Sequence, residues 1–208
     1  MKYLLAEKPF YSLQEAKNNG VPMIFIRFYC NKDCWFCDSK YSYKPEEADT
    51  VLYTHEELIE KIKSFCKTIL RTGEPSLFQD QIKLLMNELD EYTHELETNG
   101  SKKLEELYFD QINISPKLKS SNKSYELKIL DIKSKCDNYS IKFVCSDLTS
   151  LKETDECIKK YEFEPGSIYI MPERDVKSQV NQFVIDYCMK KYSYCLRSHL
   201  ILFDGKGK

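Results

Sequence analysis

Short apolar runs alternate with amphipathic stretches along most of the chain. Residues 22–28 (PMIFIRF) are dense in β-branched and aromatic side chains and predict a buried strand. Thr54 and Glu57 form a capping-box pair, and Leu58, Ile62, Phe65 and Cys66 follow on one face, which predicts a helix. A short strand is expected at 68–70. Phe78, Ile82, Leu85, Met86 and Leu89 then recur at helical spacing, while Tyr92, His94 and Leu96 alternate as strand residues do. Further on, the pattern predicts a helix at 102–107, a strand at 108–114 and a Lys-rich stretch over 117–135. After it come a strand at 140–145, a helix near 151–160, a strand at 167–171, a helix near 176–190 and a last strand at 199–203. Six or seven strands separated by helices predict an α/β fold with a parallel sheet and right-handed crossovers. Periodicity alone leaves an open sheet and a partial barrel equally available.

The unusual residues cluster where the strands end. After the first main strand come Cys30, Cys34 and Cys37; after the second, Thr72-Gly73-Glu74-Pro75; after the third, Glu97-Thr98-Asn99-Gly100. Ser115-Pro116-Lys117 follows the fourth and Met171-Pro172-Glu173 the sixth. In parallel α/β architectures the carboxyl edge of the sheet is where loops converge and ligands bind. Five such placements point to one mouth.

Composition narrows the class. The 208 residues carry no repeat, low-complexity tract or Pro/Gly/Ser linker, so one domain over 1–208 is expected. With 42% hydrophobic and 31% charged residues the chain reads as globular rather than disordered. The longest apolar run, 21–26, is far below the roughly 20 residues of a membrane span, so no membrane partner is expected. The start, MKYLLAEKPF, has no signal-peptide core, which predicts a non-secreted, cytoplasmic chain. A net charge of −2 gives no basic face, so no direct nucleic-acid partner is expected.

Nine cysteines in a chain of this kind stay reduced, and clustered ones are read first as metal ligands or reactive groups. Cys30, Cys34 and Cys37, on a loop leaving a buried strand, can turn to one centre. A structural zinc wants four closed ligands, often as two pairs, and no matching Cys-x-x-Cys exists elsewhere; Cys188 and Cys195 lack that spacing. An iron–sulfur cubane is usually held by four cysteines, so three would leave one iron open to a small molecule. Polar Asn31, Lys32 and Asp33 between them argue against a merely packed set.

Cys30-x3-Cys34-x2-Cys37, with Phe36 before the last cysteine, resembles the signature of the radical S-adenosylmethionine (SAM) enzymes. The loop Thr72-Gly73-Glu74-Pro75 resembles that superfamily's Gly-Gly-Glu-Pro motif. Further segments are similar to the 7-carboxy-7-deazaguanine synthase family: Ser12-Leu13-Gln14-Glu15, Gly20, Pro22, Phe25-Ile26-Arg27, Cys37-Asp38-Ser39, Glu97-Thr98-Asn99-Gly100 and Ser115-Pro116-Lys117. So are Lys142-Phe143-Val144, Met171-Pro172 and the run from Arg197 through Ser198, His199, Leu200, Ile201 and Leu202 to Phe203. They cover almost the whole chain in the family's order.

The resemblance implies a reduced, modified partial TIM barrel and a homodimer. It implies radical ring contraction of 6-carboxy-5,6,7,8-tetrahydropterin to 7-carboxy-7-deazaguanine with loss of ammonia, feeding queuosine-type nucleosides. It also implies a 4Fe–4S cluster on Cys30, Cys34 and Cys37, SAM, Mg²⁺ on Ser39, and an electron donor such as flavodoxin or ferredoxin. Phe36, Asp38, Gly73, Glu74, Ser115, Pro116 and Lys117 are then expected at the SAM site. Leu13, Gln14, Glu15, Arg27, Thr72 and Glu97 are expected at the pterin. Arg27 suits the substrate carboxylate, which a guanidinium fork grips with two charge-assisted bonds.

Three positions depart from the family's pattern. Its Gln-Gly-Glu-Gly is here Gln14-Glu15-Ala16, its Thr-Gly-Gly-Glu-Pro is Arg71-Thr72-Gly73-Glu74-Pro75, and its glycine before the first cysteine is Tyr29. Two other readings stay open: another small radical SAM protein, such as a glycyl-radical activating enzyme, and a non-catalytic metal-binding protein on the same fold.

Overall fold

The computed structural model describes residues 1–44, 46, 49–121, 126–128, 133–173 and 178–197. The strand expected at 199–203 lies outside them.

Six strands run parallel in one sheet: β3 (Pro22–Arg27), β5 (Thr68–Thr72), β6 (Thr93–Thr98), β7 (Phe109–Ile114), β8 (Cys136–Cys145) and β9 (Ile168–Pro172). A short β10 (Ser193–Tyr194) adds parallel to β9, and β2 (Phe10–Leu13) adds antiparallel to β3. The order is β10-β9-β8-β7-β6-β5-β3-β2, with edges at β10 and β2, so the described sheet is not a closed barrel. A separate antiparallel pair joins β1 (Lys2–Leu5) to β4 (Val51–Thr54). These antiparallel additions escape the sequence pattern because they are only four residues long and half-exposed; Leu4 and Leu52 face each other across the pair, 46% and 53% exposed.

Helix α1 (His55–Lys63) leads from β4 of the separate pair into β5, and α2 (Gln79–Glu88), α3 (Leu148–Tyr161) and α4 (Ser178–Lys191) each lead from the main sheet back to it. Thr54 and Glu57 close the expected capping box on α1, and Asp147 with Ser150 closes a second on α3. Ile24, Ile26, Ile69, Leu96, Ile112, Ile141 and Phe143 pack under the helices against Leu58, Ile62, Ile82, Leu85, Leu151 and Ile158. Each such side chain contributes about 1.5–3 kcal/mol through burial.

No helix forms at 102–107. Leu104 and Leu107 are buried as helical spacing suggests, but the backbone is bonded from outside. Gln79 Nε2 donates to Lys103 O at 3.0 Å, Glu105 N–H donates to Gln79 Oε1 at 2.8 Å, and Lys135 Nζ bonds Glu105 O. Six residues nucleate a helix poorly, and these side chains take the groups its first turn needs.

The face of the sheet away from the helices mixes apolar side chains such as Met23, Leu70 and Met171 with a row of polar ones. Arg27, Thr72, Glu95, Gln111, Asn113, Ser140 and Lys142 are all buried there, at the alternate positions of their strands. Gln14 Nε2 and Asn18 Nδ2 both donate to the Glu95 carboxylate, at 3.2 and 2.5 Å. Ala16 N–H donates to Cys195 Sγ at 3.2 Å, and Lys17 Nζ reaches Asn138 Oδ1 at 2.6 Å. These contacts tie the segment after β2 to the far side of the sheet, so the sheet is curled into a partial barrel with a polar interior.

Candidate active site

A cavity opens at the carboxyl edge of the sheet. As expected, the loops after β3, β5, β6, β7 and β9 all leave the sheet at this edge. Beyond β3 the chain keeps pairing with β5 for a residue: Phe28 N–H donates to Thr72 O at 3.0 Å. Cys30 N–H then bonds Ser42 O at 2.8 Å, and a turn from Cys34 O to Cys37 N–H at 3.1 Å folds the loop back. Cys30, Cys34 and Cys37 are free thiols, and all three line the cavity.

Burial pushes the Cys30 thiol up to about 11, the nearby Glu74 and Cys37 adding to it and Lys117 opposing. Cys37 is raised for the same first cause, with Asp38 beside it. Such thiols lose their protons when a metal centre takes them, so binding and deprotonation are coupled. Among the described residues no three His, Cys, Asp or Glu side chains gather as the ligands of a single ion. A cubane presents separate irons at its corners, so its thiolates stand farther apart than ligands of one zinc. Three free thiols lining one cavity are the donor set such a cluster takes.

Gly73 sits beside them with φ +84°, and a Cβ built on it would lie 2.0 Å from the Phe28 carbonyl oxygen. Only glycine lets the β5 loop run this close to the β3 loop. Phe36, Asp38, Ser115 and Lys117 line the same cavity. Lys117 Nζ donates to Ser115 Oγ at 2.8 Å and lies 5.9 Å above the Phe36 ring. Trp35, 45% exposed, meets Phe36 edge-on at 5.5 Å, and its indole N–H bonds Ser120 O at 3.0 Å.

Two residues expected at the SAM site do not line this cavity. The Glu74 carboxylate is fully buried and accepts from Ser76 Oγ at 2.5 Å, Thr98 Oγ1 at 2.7 Å and Asn99 N–H at 2.7 Å. It braces the β5 loop against the end of β6. Burial raises its pKa and those hydrogen bonds oppose the rise. Pro116 lines a neighbouring cavity formed with α3, which Lys117 borders as well.

Leu13, Gln14, Glu15, Arg27, Thr72 and Glu97 all line the cavity, as does Ser39, whose hydroxyl donates to Asp38 Oδ1 at 3.1 Å. Arg27 Nε donates to Glu7 Oε1 at 2.5 Å, Tyr41 OH donates to the same oxygen at 2.5 Å, and the guanidinium lies 5.5 Å from the Phe10 ring. Burial works against the Arg27 charge, but the Tyr41 and Glu7 oxygens outweigh it and hold its pKa up.

Lys142 and Arg197 also line the cavity, and sequence reasoning did not place them there. Lys142 Nζ is 2.7 Å from Glu15 Oε2 and also pairs with Glu97 Oε1. Burial alone would lower its pKa; the two carboxylates reverse that and raise it. The sequence shows only a lysine between the apolar residues Ile141 and Phe143 on a buried strand. Arg197 Nε contacts Met171 Sδ at 3.2 Å, and its Nη1 is 3.9 Å from Asp38 Oδ2.

No family model matches the sequence. The chain is 34% identical over 183 residues to the 7-carboxy-7-deazaguanine synthase of Clostridium acetobutylicum, covering 83% of this chain and 82% of that protein. The chain belongs to the 7-carboxy-7-deazaguanine synthase family. Synthases of the family from Rhodopirellula baltica (29% identity, 82% of this chain, 73% of that one) and Halobacterium salinarum (27%, 94% and 88%) are also similar. In fold, the chain resembles QueE from Escherichia coli, with a TM-score of 0.72, 22% identity and coverage of 95% of this chain and 94% of that one.

The three departures from the synthase pattern have visible consequences. Ala16 adopts φ +56°, left-handed backbone that a glycine would hold without strain. Thr72, which either takes a glycine's place in the pattern or follows a deleted one, closes β5, and its hydroxyl donates to Glu97 Oε2 at 3.4 Å. Tyr29 turns its side chain to Thr50, bonding OH to Oγ1.

Proposed function

We propose that this chain is a radical SAM enzyme that converts 6-carboxy-5,6,7,8-tetrahydropterin to 7-carboxy-7-deazaguanine with loss of ammonia, in queuosine-type biosynthesis. The observation that carries this reading is the meeting of three free thiols with a set of buried polar side chains around one cavity, in a chain of this family. Cys30, Cys34 and Cys37 hold the 4Fe–4S cluster. When bound, cluster and SAM supply a 5′-deoxyadenosyl radical that removes a substrate hydrogen atom.

The chain's own residues bind and orient. Gly73 lets the β5 loop approach SAM closely, and Phe36, Asp38, Ser115 and Lys117 surround it. Glu74 acts from behind, keeping the Gly73 loop in register with Asn99. Arg27, its Nε anchored by Glu7, turns its remaining donors to the pterin carboxylate. Gln14, Glu15, Thr72 and Glu97 meet the ring, and Leu13 packs beside it. Ser39 offers Mg²⁺ one protein oxygen, the other ligands coming from substrate and water, as this hard ion commonly takes them. One domain spans 1–208 and works as a homodimer in the cytoplasm, reduced by a flavodoxin or ferredoxin. Among the described residues no helix is long and apolar enough to cross a membrane.

The test is an anaerobic assay of the reconstituted protein with reductant, SAM, Mg²⁺ and 6-carboxytetrahydropterin. Both 5′-deoxyadenosine and the deazaguanine are expected. 5′-Deoxyadenosine without deazaguanine would keep the radical chemistry and discard the substrate, while one zinc per chain with no iron or sulfide would reject both. Cys34→Ala should abolish both products, and Ser39→Ala should blunt the response to added Mg²⁺.

A further inference from the structure

Lys142 extends from β8 across the polar interior to two carboxylates that arrive from different directions. Glu15 belongs to the segment after β2, at one edge of the sheet, and Glu97 lies near the end of β6, two strands from β8. The lysine side chain is 7% exposed, that of Glu15 10% and that of Glu97 22%, so the ion cluster is largely buried yet borders the cavity. An ammonium has three donors, and a buried one must place them on acceptors. Here one ammonium bridges two carboxylates that border the ligand space.

We propose that Lys142 is a positioning residue that fixes the Glu15 and Glu97 carboxylates in place to accept hydrogen bonds from the donor-rich 2-amino-pyrimidinone edge of the substrate. The proposal rests on the pterin reading above. A ring-edge N–H and an adjacent amino group present two parallel donors, which a carboxylate matches with its two oxygens. Arg27 takes the opposite charge, the 6-carboxylate. The chain thus offers each polar end of a carboxypterin its complement, and Lys142 keeps one of those complements from collapsing or drifting.

The test uses full-length protein and two readouts. Fluorescence titration with 6-carboxypterin gives Kd without turnover; steady-state kinetics of the reconstituted enzyme give KM for the pterin and for SAM separately. Lys142→Met is expected to weaken 6-carboxypterin by roughly 10- to 100-fold, the scale of a lost charged hydrogen-bond arrangement. The pterin KM should rise in parallel, and the SAM KM should stay within about twofold. Unchanged pterin affinity, or equal losses for pterin and SAM with a lowered melting temperature, overturns the positioning role. If Lys142→Met does not fold, Lys142→Arg replaces it. A guanidinium fork keeps the charge but spreads the carboxylates differently, so pterin should weaken by about 3- to 10-fold with SAM unaffected. Wild-type pterin affinity in that variant, or a matching loss of SAM, overturns the proposal. Wild-type protein that binds no 6-carboxypterin and turns over no pterin sinks the substrate reading itself, and with it this inference.

Discussion

A methyl group on Gly73 would meet the Phe28 carbonyl oxygen at 2.0 Å, on a residue already at φ +84°. Backbone strain and overpacking add here, and Gly73→Ala is expected to destabilise the fold by about 2–4 kcal/mol, read by urea denaturation. Wild-type stability would show that the two loops separate easily. The opposite case is Ala16, held at φ +56° with its N–H on Cys195 Sγ. Ala16→Gly should raise stability by about 0.5–1 kcal/mol, and a loss instead would mean that its buried methyl outweighs the strain. Both sites were visible in the sequence as glycine-motif positions, one kept and one replaced. What the string of letters could not supply is distance: Glu74 reads as a ligand from its motif, yet its oxygens are spent on Ser76, Thr98 and Asn99.

At the scale of elements, the central strands were legible because buried parallel strands concentrate β-branched and aromatic residues, as Ile24 to Ile26 and Ile168 to Ile170 do. The β1–β4 pair and β2 were not, being short and half-wet, and the helix expected at 102–107 lost its backbone groups to Gln79 and Lys135. β5 and β6 carry an exception to the apolar rule under the helices. Arg71, fully buried, donates Nη2 to His94 Nδ1 at 3.0 Å, while the other ring nitrogen bonds Leu89 O at 2.8 Å. Burial lowers Arg71 to about 9, and burial with the Arg71 charge lowers His94 to about 4. The unfolded chain takes up the His94 proton first as pH falls below about 6.5, so stability is full above that value and lost towards pH 4. Denaturation at pH 5 should show up to about 2 kcal/mol less stability than at pH 7.5, a difference that His94→Gln should shrink. A slope unaltered in that variant would assign the acid sensitivity elsewhere.

At the scale of the whole molecule, the site exists because the sheet curls. Lys142 and Glu15 are 127 residues apart in sequence, and Ala16 and Cys195 are 179 apart, yet both pairs are in contact. Alternation identified which strands exist and which edge gathers the loops; it held no information on curvature, so the interior ion cluster stayed invisible until the strands were placed. The same curl sets Trp35 on the outer rim of the cysteine loop, against Phe36. It is the chain's single tryptophan. The protein therefore carries its own optical reporter: ultraviolet emission from that indole should dim as iron and sulfide are loaded and recover on chelation, following the filling of the centre in real time without a label. Emission indifferent to loading would mean that the metal gathers somewhere other than beside Cys34.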